Sequence, residues 1–143
     1  MTTTILSIDP GGTTGITLLR ADEKSISIIE TIQVKDDLNG FIAWQKDFDT
    51  PIDVIVCESF TLRPGIHGAN LSPTYIIGAL EALYQGFDIV YQEPKLKPLC
   101  DDQRLKKMGF YTVGQQHVND STRHGIIYLR NKRHMPTLLK GWT

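Results

Sequence analysis

Residues 4–15 read T-I-L-S-I-D-P-G-G-T-T-G. A β-branched and apolar run delivers Asp9 onto a glycine-rich turn, which fixes the carboxylate at a strand end where the backbone can approach a ligand closely. An unpaired carboxylate is costly to bury, so an Asp closing an apolar strand has a cation, a donor or a turn to bind. Two readings of this stretch stand side by side. One is an Asx-turn cap leading into a hairpin; the other is a functional carboxylate whose partners come from elsewhere in the chain.

Working outward, the pattern predicts strands over 4–8, 15–19 and 25–34, with turns marked by Gly11, Gly12, Ala21, Asp22 and Glu23. That order is an antiparallel meander. Leu38, Phe41, Ile42 and Trp44 fall on one face of an amphipathic helix over 37–47. The short continuous apolar run D-V-I-V-C at 53–57 is a central strand, and it ends at Glu58. From 59 to 70 the composition turns to Arg, Pro, Gly and His, an irregular loop. Ser72 and Pro73 supply the N-cap and first-turn proline of a helix through Gln85. A strand over 87–92 follows, then a Lys/Pro segment that breaks regularity. A short helix over 101–108 carries Arg104, Lys106 and Lys107, and Asn119 or Asp120 opens a last helix to about Lys132. The order β-β-β-α-β-α-β-(α)-α is α/β with a mixed sheet.

The chain of 143 residues fits one domain, 1–143, and its 41% hydrophobic and 22% charged content is ordinary for a soluble globular protein. It has no bilayer-length apolar run and no basic-then-apolar leader. Cys57 in a strand and Cys100 in a polar stretch suit reduced thiols of a cytoplasmic protein, and neither has zinc-site spacing. The net charge of −1 conceals an asymmetry: residues 1–90 hold 5 Lys/Arg against 12 Asp/Glu, and residues 91–143 hold 10 against 4. An acidic half joined to a basic half suits an enzyme that grips a polyanion locally. Solvated lysines on helix faces account for the asymmetry equally well when it is taken alone.

Asp9 closes the first strand and Glu58 the fourth. If these strands are neighbours, both carboxylates emerge at one sheet edge, as a hard cation such as Mg²⁺ requires. The third element is H-V-N-D-S-T-R-H at 117–124, where His117, Asp120 and His124 stand at i, i+3 and i+7 and share one helix face. Read together, these residues form a carboxylate-rich metal cluster assembled from three distant segments.

A strand-D-P-G near the start, an apolar strand ending in Glu, and H-x-x-D on a late helix resemble the RuvC-type Holliday junction resolvases, above all the small versions carried by phages. These belong to the RNase H-like (retroviral integrase) superfamily, and the resemblance spans residues 4–131. It implies an RNase H-like fold with a mixed five-stranded sheet flanked by helices. Asp9, Glu58 and Asp120 match the three core carboxylates, and His117 matches a fourth position at which many bacterial members have Asp. The implied reaction is hydrolysis of a phosphodiester with two Mg²⁺ or Mn²⁺ ions, Asp9 bridging them, to leave 5′-phosphate and 3′-hydroxyl ends. An imidazole ligand suits Mn²⁺ as well as Mg²⁺.

The resemblance also implies a homodimer acting on four-way junctions or forks in a bacterial cytoplasm, with no membrane partner. Lys95, Lys97, Arg104, Lys106, Lys107 and Arg63 are candidates for phosphate contacts. Phe60 lies where the family places an aromatic wedge, or else it caps the core. Three rival readings remain at this level. A sugar kinase/actin-like ATP site shares the D-x-G-G-T turn but needs a second domain. The same nuclease fold could act on RNA, flaps or forks, and a decayed nuclease could serve as a DNA-binding scaffold.

Overall fold

In the computed structural model, which describes residues 1–61 and 70–143, the opening run is strand β1 (Thr3–Asp9), buried from Thr4 onward. Alternate side chains of a strand point to opposite faces, and the two faces of β1 have separate partners. Ile5 joins a cluster with Leu19, Val54, Val56, Leu105, Ile126 and Ile127. Leu6 and Ile8 join a second, with Ile16, Ile55, Phe41, Ile76 and Leu80. A strand with a core on each face must lie inside its sheet.

The sheet contains β2 (Thr14–Ala21), β3 (Ile26–Val34), β4 (Val54–Glu58) and β5 (Ile89–Gln92), in the order β3-β2-β1-β4-β5. The first three strands form the expected antiparallel meander. β4 runs parallel to β1, and β5 runs parallel to β4. The register pairs Ile5 with Val54 and Ile8 with Cys57, so the next step brings the ends Asp9 and Glu58 side by side.

Helices α1 (Asp37–Asp47) and α2 (Ser72–Leu83) cover one face through Phe41, Ile76 and Leu80. Helices α3 (Asp102–Met108) and α4 (Gln116–Asn131) cover the other through Leu105, Met108, Ile126 and Ile127. Among the described residues no helix is long and apolar enough to cross a membrane.

The last long helix begins at Gln116, ahead of the Asn119 or Asp120 predicted to open it. Asn119 looks like a cap in the sequence, but its amide bonds both the backbone N–H and the carbonyl of Thr112, each at 2.8 Å. It sews down the preceding loop and leaves the helix free to start a turn earlier. The Lys/Pro segment 94–100 closes into a 3-10 helix with Pro94 at its start, and Cys100 within it is fully buried. A further helix, α5 (Met135–Gly141), was not read from the sequence. Its anchor is long-range: His134 meets Thr137 Oγ1 at 2.7 Å and the Asp22 carbonyl at 2.6 Å. Both cysteines are free, and burial raises both thiols, Cys100 to about 12.

Helix α4 lies unusually close to the sheet, and that closeness positions the site. A Cβ on Gly15 would stand 1.9 Å from the His117 carbonyl oxygen, and one on Gly125 would stand 2.5 Å from Leu19 Cδ1. Between these contacts the helix is tied by hydroxyls. Ser7 Oγ donates to the Ser121 carbonyl at 2.5 Å, and Thr17 Oγ1 meets Ser121 Oγ at 2.7 Å and Thr122 Oγ1 at 2.8 Å. The contacts advance from Gly15 to Leu19 as the helix advances from His117 to Gly125, so α4 runs alongside β2 and antiparallel to β1. Its N-terminal turn therefore sits at the Asp9 end of the sheet.

Candidate metal centre at the sheet edge

Asp9, Glu58, His117 and Asp120 come from β1, β4 and α4 and meet at this edge. His117 Nδ1 lies 3.3 Å from Asp9 Oδ2. Asp9 and Glu58 share a hydrogen bond between their carboxyls. Lys97, from the 3-10 segment, reaches in and places its ammonium 2.9 Å from Glu58 Oε1 and 3.4 Å from Asp120 Oδ2. This residue, a candidate phosphate contact from the sequence, stands inside the carboxylate cluster.

A shell of buried residues holds the acids in place. His124 is fully buried and bridges Gln92 Oε1 at 2.7 Å to Glu58 Oε1 at 3.1 Å. Arg123, 4% exposed, donates from Nε to Asp120 Oδ1 at 3.0 Å, from Nη1 to the Cys100 carbonyl at 2.7 Å and from Nη2 to Asp102 Oδ1 at 2.5 Å. Gln116 Nε2 adds a bond to Asp120 Oδ1 at 3.1 Å. Arg123 and Gln92 were not singled out from the sequence. Arg123 stands three positions after Asp120 on α4, and Gln92 ends β5 directly opposite Glu58, so strand-end pairing is the signal that finds the second.

The electrostatics follow from crowding three carboxylates into a buried edge. Burial, then the hydrogen bond and charge of Glu58 and the charge of Asp120, raise Asp9 far above the ordinary carboxylate range, with Lys97 opposing. Burial pushes Glu58 up as well. Hydrogen bonds from His124, Asp9 and Lys97 and the Lys97 charge outweigh that push and hold it low. Asp9 and Glu58 thus behave as one pair that retains a proton on Asp9.

The donor set suits a hard divalent cation: three carboxylates and one imidazole, with an acid in their midst that is ionised only at a cost. Among the described residues no three of the His, Cys, Asp and Glu side chains are drawn tightly enough to enclose an ion as they stand. The Lys97 ammonium supplies positive charge at the point where they converge. The turn beside Asp9 is open: the nearest atom to a side chain built at Gly12 would be Asp37 Oδ2 at 4.0 Å.

The other expected DNA-contact residues lie outside this cluster. Lys95 is exposed and paired with Glu93 at 3.0 Å. Arg104 sits on α3 with its guanidinium 4.5 Å from the Trp142 ring, Lys106 lies 4.6 Å from Tyr111, and Lys107 reaches the Thr143 carbonyl. Phe60 is half-buried and stands outside both core clusters. Arg63 lies outside the described residues.

No protein-family model matches the sequence, and no curated protein matches it. Among solved structures the chain is similar to RuvC of T. thermophilus in complex with Holliday junction substrate. The TM-score is 0.61 at 14% identity, over 92% of this chain and 95% of that one. At that identity the likeness establishes architecture alone. The mixed five-stranded sheet, with helices on both faces and acidic residues at the ends of two neighbouring parallel strands, is the RuvC/RNase H-like fold.

Proposed function

We propose that this protein is a metal-dependent endonuclease that cuts branched DNA, four-way junctions above all, in the manner of the small resolvases carried by phages. The observation that carries the reading is the convergence of Asp9, Glu58, His117 and Asp120 from three distant segments at one edge of a RuvC-like sheet. Asp9, Glu58, His117 and Asp120 would hold Mg²⁺ or Mn²⁺, which would supply Lewis-acid activation of water and stabilise the leaving 3′ oxygen.

The remaining work belongs to the chain's own side chains. Arg123 and Gln116 fix Asp120, and His124 fixes Glu58, so both acids are oriented before substrate arrives. Lys97 neutralises the cluster and, once displaced from Glu58 and Asp120, is placed to meet the phosphate being cut. His117 is half exposed, and its Nε2 faces away from the Nδ1 that holds Asp9. As an alternative to holding metal, His117 would serve as the base toward the attacking water. Lys95, Arg104, Lys106, Lys107 and Arg63 serve as phosphate contacts, with Phe60, two residues after Glu58 in the sequence, as the aromatic wedge.

The test is cleavage of end-labelled four-way, forked, duplex and RNA–DNA substrates with each metal. Paired nicks confined to four-way junctions support the resolvase reading, and cleavage of RNA strands alone overturns it. Asp120→Asn is expected to keep binding branched DNA while losing cleavage. Undiminished cutting by that variant would remove the site.

A further inference from the structure

The end of α4 farthest from the acids carries a second constellation. Helix α4 descends from His117 to Arg130, which at 1.5 Å per residue is about 20 Å. There a cleft of about 550 Å³ opens between α4 and α5, lined by Arg130, Asn131, Arg133, Leu138 and Trp142. Two guanidiniums and an indole face one space with no carboxylate among the lining residues. The Arg130 guanidinium lies 5.5 Å from the Trp142 ring centre, and Arg104 of α3 lies 4.5 Å from it. Among the described residues, none of Arg104, Arg130, Lys132, Arg133 and Lys140 forms an ion pair with an acidic side chain.

The backbone at Arg133 is strained as well. Arg133 adopts φ 59, the left-handed region, directly after the helix cap Lys132. Its N–H bonds the Arg130 carbonyl at 2.9 Å, and the N–H of His134 bonds the Leu129 carbonyl at 3.0 Å. This pair of bonds is the Schellman ending, whose left-handed position is ordinarily glycine because a side chain there is strained. The chain carries an exposed arginine where glycine would be easier. A left-handed non-glycine residue carries a conformational cost, so glycine at this position would relieve the backbone.

We propose that this cleft is a second polyanion site, which holds the phosphate backbone of a nucleic-acid arm running away from the acidic cluster. Unpaired guanidiniums beside an aromatic ring are the chemistry that grips a phosphate chain. Helix α3 packs on both α4 and α5, with Asp102 at its start on Arg123 beside the cluster and Arg104 on Trp142 of the cleft. The identity of the polyanion as a DNA arm rests on the proposed nuclease function.

Arg133→Gly separates structure from binding, because glycine relieves the strained backbone while removing the charge. The variant is expected to melt a few degrees higher than the wild type. On four-way junctions with arms of about 20 base pairs it should bind roughly fivefold to tenfold more weakly at about 0.15 M salt, with a salt slope lower by about 1. On hairpin-closed junctions with arms of about 4 base pairs, which at about 3.4 Å per pair end short of the cleft, binding and cutting should match the wild type. Unchanged affinity and salt slope on the long arms would overturn the proposal. Cutting of short-armed junctions by the wild type reads the nuclease assignment separately. If that cutting fails while Arg133→Gly still weakens binding to plain duplex, the cleft stands and the substrate assignment falls.

Discussion

Asp9 carries a liability for folding that the proposed metal centre would turn to use. In the metal-free protein its carboxyl is raised by burial and by the neighbouring Glu58 and Asp120. The folded state therefore binds a proton that the unfolded state releases. Stability from this group is full below the ordinary value of 3.8 and is lost as pH rises above it. A divalent cation favours the ionised form, so its stabilising effect should grow with pH. The difference in melting temperature with and without Mg²⁺ or Mn²⁺ is expected to widen between about pH 6 and pH 8. Asp9→Asn replaces a carboxyl that must take up a proton on folding with a neutral amide. It should stabilise the metal-free protein by about 1 kcal/mol, flatten that pH dependence and abolish cleavage. Melting curves over a pH series, with and without metal, check all three. A wild-type difference that shrinks as pH rises would contradict the assignment.

Asp9 and Glu58 are visible in the sequence because each ends a strand-like run, and Asp120 because of its helical spacing from His117, but the residues that hold them are not. His124 has the helical spacing of a ligand, yet it is buried against Gln92 and Glu58 and acts as their bridge. Removing it in His124→Ala leaves the buried Gln92 amide oxygen without this partner and takes one hydrogen bond from Glu58, and should cost about 2–3 kcal/mol in urea unfolding. A loss below about 0.5 kcal/mol would show that the bridge contributes little.

At the scale of elements, the decisive contact is between the β1–β2 turn and the first turn of α4. Helix propensity and capping patterns say where a helix can start. They are silent on Asn119, whose amide is committed to Thr112 seven residues earlier. The strands were legible because their apolar patterns are local, while the parallel pairing of β1 with β4 is a long-range fact that the sequence offered only as a condition joining two acid-terminated runs. Helix α5 was not legible, since its seven residues are held by His134 reaching back to Asp22, a partner 112 positions away. Gly15 is likewise inconspicuous in sequence, although a methyl group there would collide with the His117 backbone. Gly15→Ala must lift the start of α4 and draw His117 from Asp9 and Asp120 from Glu58. We expect about 1–3 kcal/mol of destabilisation and a loss of cleavage much larger than the unfolded fraction explains. Cleavage rates measured well below the melting transition distinguish the two effects.

For the whole molecule, the charge asymmetry of the sequence becomes a spatial arrangement. The acids at the edge come mainly from the first strands, while the cations of residues 91–143 follow the 3-10 segment, α3 and the end of α4. The sequence could report the imbalance but not the track, because Arg130, Arg133 and Trp142 meet only through the packing of α5.

The opposite side of the molecule has a different character. Helix α2 buries Ile76 and Leu80 and leaves Leu71, Tyr75 and Leu83 exposed, with Phe87 beyond its end. Among the described residues a Cβ built at Gly78 would meet nothing within 4 Å, which leaves room on this face for the close approach of a second backbone. Apolar side chains on one helix face suit a two-fold interface, in which the same patch serves both subunits. A four-way junction presents two strands to be cut, and one chain carries one acidic cluster. Tyr75→Glu places a charge on this face without touching either core. It should convert a homodimer to a monomer in sedimentation while leaving the melting temperature within a few degrees. On a four-way junction the variant should then give single nicks in place of paired ones. A Tyr75→Glu protein that stays dimeric and still cuts in pairs would move the interface elsewhere, while a wild type that sediments as a monomer would remove it.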